Sequence, residues 1–274
     1  MKTFTANEET NLKDFTDSTY PQGSFYFSAL LKKGDIRVNG TKQKANCPLH
    51  KGDTVVYYTT PSQESKPSHE VVYDDESIII ADKYSGVSSE ALFFELKEKC
   101  PYPVHRLDRN TSGLIVLAKS EKAQEELKDA FKERSVEKVY HCLAKNSFKT
   151  PKATLTAYLE KDEKKSLVRI YASPNANSVK IITEYEVIEE RGDIALVKII
   201  LHTGKTHQIR AHLSFIGCPV LGDNKYGDER LNKKYKVARQ CLVAKSLSFT
   251  LGGTLGYLND KSFSSGFDPE LPKN

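Results

Sequence analysis

A carboxylate set between two guanidinium groups stands near the middle of this sequence. The string His105-Arg106-Leu107-Asp108-Arg109-Asn110-Thr111-Ser112-Gly113 is polar and runs straight into the apolar Leu114-Ile115-Val116-Leu117-Ala118. This reads as a polar loop feeding a buried strand, and loops held by a rigid scaffold are where catalytic groups are usually displayed. Nearby positive charge favours the ionised form of a carboxylate, which makes Asp108 a candidate base or nucleophile. The competing reading is a structural ion pair beside a sheet.

Two further strings carry chemistry-bearing residues. Lys138-Val139-Tyr140-His141-Cys142-Leu143-Ala144 alternates as a strand, which places Tyr140 on one face with Lys138 and Cys142. His202-Thr203-Gly204-Lys205-Thr206-His207-Gln208-Ile209-Arg210-Ala211-His212-Leu213 reads as a turn entering a short helix, with Thr206 as N-cap, Gly217 as stop and Pro219 forbidding continuation. Ile209, Leu213 and Ile216 form its apolar stripe, whereas His207, Arg210 and Ser214 share another face. A metal site from His202, His207 and His212 fails on spacing, because His207 and His212 are five apart and point to different sides of a helix. P-loops, Rossmann glycine patterns and familiar nucleophile motifs are absent.

The first string resembles the HRLDxxTSG motif of the RluA-type pseudouridine synthases. Lys138-Val139-Tyr140 resembles that family's second motif. The segment from Thr203 through Gly217-Cys218-Pro219-Val220-Leu221-Gly222-Asp223-Asn224-Lys225-Tyr226-Gly227 resembles the third, with Lys205 where arginine is usual. The resemblance implies an α+β fold built on a mixed, mainly antiparallel sheet with flanking helices and a central catalytic cleft. It implies detachment of uracil from its ribose, rotation, and rejoining through carbon 5, with no cofactor and no metal. Asp108 is then the catalytic carboxylate, acting by attack on the sugar or by abstraction of a sugar proton. Arg210 pairs with it, Tyr140 stacks on the base, and Arg106 occupies the gap left by the flipped base. His105, Leu107, Thr111, Lys205, His207, Gln208 and Leu221 join Arg106 as expected substrate contacts.

The remaining elements are scaffold. Residues 1–62 read as a small unit: Phe25, Phe27, Leu30 and Leu31 at helical spacing, Gly34 as a helix stop, Ile36 and Val38 as a strand, Asn39-Gly40 as a hairpin turn, and residues 52–58 as a return strand. This resembles the alpha-L RNA-binding fold, although residues 8–24 show no arginine-bearing helix. Lys32, Lys33, Arg37, Lys42 and Lys44 flank the hairpin and are candidate RNA contacts; the alternative is that the unit serves packing. Residues 61–68, polar with prolines near both ends, read as an exposed connection that would let residues 1–66 be removed. Residues 69–260 form the catalytic domain, with strands at 77–81, 153–159, 166–171, 181–187 and 195–201, a last strand from Val243 and Leu247-Phe249-Leu251, and helices capped at Ser88-Ser89 and Ser120. Residues 261–274 form a tail.

Composition sets outer limits. The chain has 274 residues, 38% hydrophobic and 28% charged, as a globular protein does. Forty-one Lys and Arg against 36 Asp and Glu leave +5, compatible with a polyanionic partner, which the resemblance implies is ribosomal or transfer RNA. Five scattered cysteines without a CxxC pair argue for reduced thiols rather than zinc. No signal core or bilayer-length apolar run is seen, so the expectation is a cytoplasmic monomer without membrane contact. Two other function classes compete. A silent RNA-binding or ribosome-assembly protein would have no use for Asp108, and a hydrolase would need a nucleophile with its base.

Overall fold

The computed structural model describes residues 1–162 and 167–271. It divides into two compact units, residues 1–109 with 116–124, and residues 110–115 with 125 onward.

The first unit begins with β1 (Lys2–Thr5), β2 (Thr10–Asn11), α1 (Leu12–Thr19) and α2 (Pro21–Lys33). Asn11 starts α1 by accepting the N–H of Asp14 at 3.0 Å. Pro21 opens α2, and Gly34, with φ of 73°, ends it. Next come β3 (Ile36–Val38), β4 (Thr41–Gln43), β5 (Pro48–Leu49) and β6 (Thr54–Tyr57), which with β1 give the antiparallel order β1-β6-β3-β4. Asn39 and Gly40 take φ of 48° and 79°, as a tight two-residue hairpin requires. That hairpin returns through β4, while the expected return strand, β6, pairs on the other side of β3. Leu12, Leu30, Ile36, Leu49, Val55 and Tyr57 give these elements an apolar core of their own.

The polar connection is more structured than its composition suggests. It forms α3 (Pro61–Glu64) behind a Thr60–Gln63 capping box, and Ser68 at its end is buried. Beyond it, β7 (His69–Asp74) pairs antiparallel with β8 (Ile78–Lys83), every residue of which is buried. Then α4 (Ser89–Leu96) is capped by Ser88, as expected, and packs against α1 and α2. Finally β9 (Tyr102–Pro103) pairs with the end of β10 (Ser112–Ala118).

The second unit takes in the start of β10 and most of α5 (Glu121–Glu133), where Ser120 accepts the N–H of Ala123 and Leu127 is fully buried. It continues with β11 (Val136–Lys145), β12 (Lys152–Asp162), β13 (Leu167–Tyr171), β14 (Val179–Arg191), β15 (Ile194–Leu201), α6 (Gln208–Phe215), α7 (Glu229–Lys234), β16 (Leu242–Phe249) and β17 (Ser262–Ser264). Strand order is β13-β12-β14-β15-β11-β16-β10, with β17 on β16. Here β10 and β16 run parallel and the other pairs antiparallel, so the class is α+β with a mixed, mainly antiparallel sheet. The run expected to begin at Ser166 starts outside the described residues, and β14 pairs with β12 rather than with its sequence neighbour β13. The tail expected from residue 261 contributes β17, and its last three residues lie outside the described ones.

Candidate active site

In the first unit, the peptide carrying Asp108 is fixed on both sides. Before it, the buried Ser89 hydroxyl donates to the carbonyl of Leu107 and accepts its N–H, each at 2.9 Å. After it, the carbonyl of Arg109 accepts the N–H of Gly86 at 2.8 Å and Lys83 Nζ at 3.2 Å. Lys83, wholly buried at the end of β8, also donates to the carbonyls of Val87 at 2.8 Å and Tyr84 at 3.2 Å. Three N–H groups thus meet three carbonyls, which satisfies an ammonium group. Burial drags Lys83 down to about 7, against the charges of Asp108 and Glu90, which raise it. Asp108 itself is half-buried. Beside it, Leu107 is buried, Arg106 is exposed and pairs with Glu90 at 2.9 Å, and His105 Nε2 accepts the N–H of Val116 at 3.1 Å.

In the second unit, the motif continues into β10, where Gly113 has φ of 109° and a Cβ would lie 2.3 Å from the carbonyl oxygen of Ala244. Only glycine fits that approach. Thr111 is buried, and its hydroxyl accepts Gln240 Nε2 at 2.8 Å. Tyr140 is buried on β11 with Lys138 and Cys142.

The helix α6 starts one residue later than expected. His207, not Thr206, occupies the cap position, in the left-handed region at φ of 53° and without a side-chain cap. Its polar stripe converges on Tyr226: His207 Nδ1 is 2.9 Å from the Tyr226 hydroxyl, Ser214 Oγ donates to its carbonyl at 2.8 Å, and the Arg210 guanidinium lies 5.3 Å from its ring centre. Arg210 also makes a fork on Asp223, Nε to Oδ2 at 2.6 Å and Nη2 to Oδ1 at 2.9 Å. Burial acts to raise the Asp223 pKa, but the hydrogen bonds and charge of Arg210, with the N–H groups of Lys225 and Tyr226, hold it below the usual carboxylate range.

Several expected substrate contacts are engaged elsewhere. Gln208 is buried; its oxygen accepts Thr203 Oγ1 and the N–H of Lys205, and its amide donates to the Ile182 carbonyl and Thr183 Oγ1. It therefore shapes the turn at residues 203–205, on which Lys205 is exposed. Leu221 is 1% exposed and packs with Leu143, Leu231 and Cys241, so its role is in the core. The three histidines considered for a metal have separate neighbours, His202 with Glu184, His207 with Tyr226 and His212 with Thr183. Around the N-terminal hairpin, Lys32, Lys33, Lys42 and Lys44 are exposed, while Arg37 is half-buried with its guanidinium 5.1 Å from the Tyr58 ring centre. Lys83, Asp223, Tyr226 and Gln240 were not singled out from sequence. For Asp223 and Tyr226 the signal was the string Gly222-Asp223-Asn224-Lys225-Tyr226-Gly227 itself; for Lys83 and Gln240 there was none.

Similarity to known proteins agrees with this inventory. Residues 59–215 match the RNA pseudouridylate synthase family. A ribosomal large subunit pseudouridine synthase C from Vibrio cholerae is 30% identical over 257 residues, 80% of this chain and 78% of that one. An uncharacterized RNA pseudouridine synthase from Aquifex aeolicus is 33% identical over 251 residues, with the same shares covered. Among solved structures, human RNA pseudouridylate synthase domain containing 1 superposes with a TM-score of 0.59 at 27% identity, covering 67% of this chain and 79% of that one. With the three motifs in place and the family matched over more than half its length, this chain belongs to the RluA-type RNA pseudouridine synthases, and is an isomerase of uridine in RNA.

Proposed function

We propose that the enzyme modifies uridine in ribosomal RNA, with Asp108 as the carboxylate that starts the isomerisation. The observation carrying the role of Asp108 is the construction around it: a fully buried lysine and a buried serine fix the residues on either side of one half-buried carboxylate. A solvated ion pair needs no such support. The target base must leave its stack, at a cost of a few kcal/mol. Asp108 then attacks the sugar or removes a sugar proton and the bond from N1 to the ribose breaks; uracil turns, carbon 5 bonds to the ribose as the Asp108 ester is displaced or the sugar proton returns, carbon 5 gives up its hydrogen to solvent and N1 takes up a proton. Tyr140 supplies a face for the base. Arg106, exposed and planar, is suited to stack where the base had been. Arg210, held in a fork by Asp223, takes from the family resemblance the role of partner to the reacting carboxylate. The exposed lysines around the N-terminal hairpin meet phosphates. No cofactor, metal or partner subunit is invoked.

Support for ribosomal over transfer RNA comes from the relatives named for the large ribosomal subunit in Vibrio cholerae and Vibrio vulnificus. The test has two arms. Tritium release from RNA carrying uridine labelled at carbon 5 is expected with ribosomal RNA and absent with transfer RNA. Pseudouridine mapping in cells lacking the protein should show loss in ribosomal RNA; loss confined to transfer RNA refutes the substrate, and no loss in either refutes the activity.

A further inference from the structure

The arginine that follows Asp108 is held by the N-terminal helices. Arg109 Nη2 donates to Ser24 Oγ at 3.0 Å and pairs with the carboxylate of Asp17, while Nη1 reaches the Ser24 carbonyl at 3.4 Å. Ser24 lies in the first turn of α2 and Asp17 in the last turn of α1, and their side chains are joined at 3.1 Å. Lys13 holds the other oxygen of Asp17 at 2.9 Å. From the catalytic side, Ser88 donates to the backbone carbonyl of Asp17 while also capping α4, and the next residue, Ser89, grips Leu107. Gly86, which binds the Arg109 carbonyl, faces the ring of Phe25 in α2; a Cβ there would come within 3.2 Å of it.

The nature of these contacts is informative. The N-terminal elements bury their apolar side chains in their own core. What they turn toward the loop is a carboxylate, a hydroxyl and one aromatic edge, a poor source of stability because partly exposed ion pairs contribute little. Such a pair can still fix geometry, since a guanidinium bound by two acceptors has few orientations available. Its backbone is the far anchor of the peptide that carries Asp108.

We propose that Asp17 and Ser24 are positioning residues for the isomerisation: by holding Arg109 they set the conformation of the Leu107-Asp108-Arg109 peptide, so that the N-terminal unit acts on the rate of chemistry as well as on RNA recruitment. This rests on Asp108 being the reacting carboxylate. Displacing a reacting group by about 1 Å costs up to roughly a hundredfold in rate. The full-length Asp17→Asn, Ser24→Ala and Arg109→Gln variants, and the Asp17→Asn/Arg109→Gln double variant, would be assayed for tritium release in single turnover at saturating RNA, alongside RNA affinity against salt. Asp17→Asn should slow the single-turnover step on the order of tenfold. Affinity and its salt slope should be unchanged, and the double variant should be no slower than the worse single one, because both remove the same contact. Ser24→Ala should show a smaller loss of the same kind and decides the matter if Asp17→Asn does not fold. Rates within twofold of the parent in Asp17→Asn and Ser24→Ala overturn the proposal. So do additive losses in the double variant, or an effect confined to affinity and salt slope, which would make these residues part of the RNA-binding surface. Asp108→Asn is run in parallel: if it retains turnover, the reading of Asp108 fails, whatever the other variants do.

Discussion

Arg210 and Arg109 lie in two of the strings that carry the family resemblance, and an aspartate holds each, but the two pairs are built differently. Arg210 and Asp223 are 13 residues apart, and their side chains are 6% and 0% exposed. Arg109 and Asp17 are 26% and 13% exposed, and the neighbouring partner Ser24 is 85 residues away in sequence. The first pair is short-range and dry; the second is long-range and partly wet. A buried pair is costly to break because the survivor keeps an uncompensated charge, whereas a partly exposed pair can be lost at little cost to the fold. Stability and catalysis should therefore separate between the two regions.

Four outcomes test that separation, beginning with the reaction they serve. Asp108→Ala should reduce tritium release by roughly a thousandfold or more, as loss of a reacting group does, and leave RNA affinity near the parent value, because a polyanion gains nothing from a nearby carboxylate. Residual turnover within tenfold would remove the premise. Asp223→Asn should lower unfolding free energy by about 3–5 kcal/mol, since it removes the carboxylate that forks a buried guanidinium. Denaturant titration reads this directly, and a midpoint unchanged from the parent would show that the buried pair is not a stability element.

Lys83→Met should cost about 3 kcal/mol, because buried carbonyls lose their donor. It also has a pH signature. With Lys83 at about 7 in the folded protein and 10.5 otherwise, the unfolded chain binds a proton in that window that the folded chain does not. Its contribution is therefore fully present above 10.5 and lost as pH falls through about 7. The melting temperature of the parent should climb relative to Lys83→Met as pH rises through that window; parallel profiles would contradict the lowered value. Smallest in stability is Asp17→Asn, which should change unfolding free energy by less than about 1 kcal/mol, although its rate effect is expected to be several times larger than that of any surface change. A fall in melting temperature as large as that of Asp223→Asn would erase the contrast between the two arginines.

What could be read in advance was what short spacing encodes. Ser120 and Ser88 cap their helices, Gly34 ends α2, and Asn39-Gly40 turns a hairpin, because each depends on hydrogen bonds or φ values settled within about four residues. The same holds for the polar stripe of α6, where His207, Arg210 and Ser214 share a face by helical geometry alone. That stripe was legible and Tyr226 lay in the third string, but the convergence of the one on the other was not. Nor was the N-terminus of α6, where a left-handed His207 took a place for which Thr206 has the better chemistry.

The amino-acid order by itself determined the family, the class of reaction and the candidate carboxylate, because those reside in contiguous strings whose residues act on one another across a few bonds. The tertiary structure decided which partners those residues keep. Lys83 beneath the loop, Gln240 on Thr111, Leu221 in the core, and Asp17 with Ser24 on Arg109 are meetings between segments distant in sequence. A lysine in a strand or an aspartate in an amphipathic helix has the same local pattern whether it faces water or a catalytic loop. Only the path of the chain, set by burial of the apolar segments around it, brings one to the other.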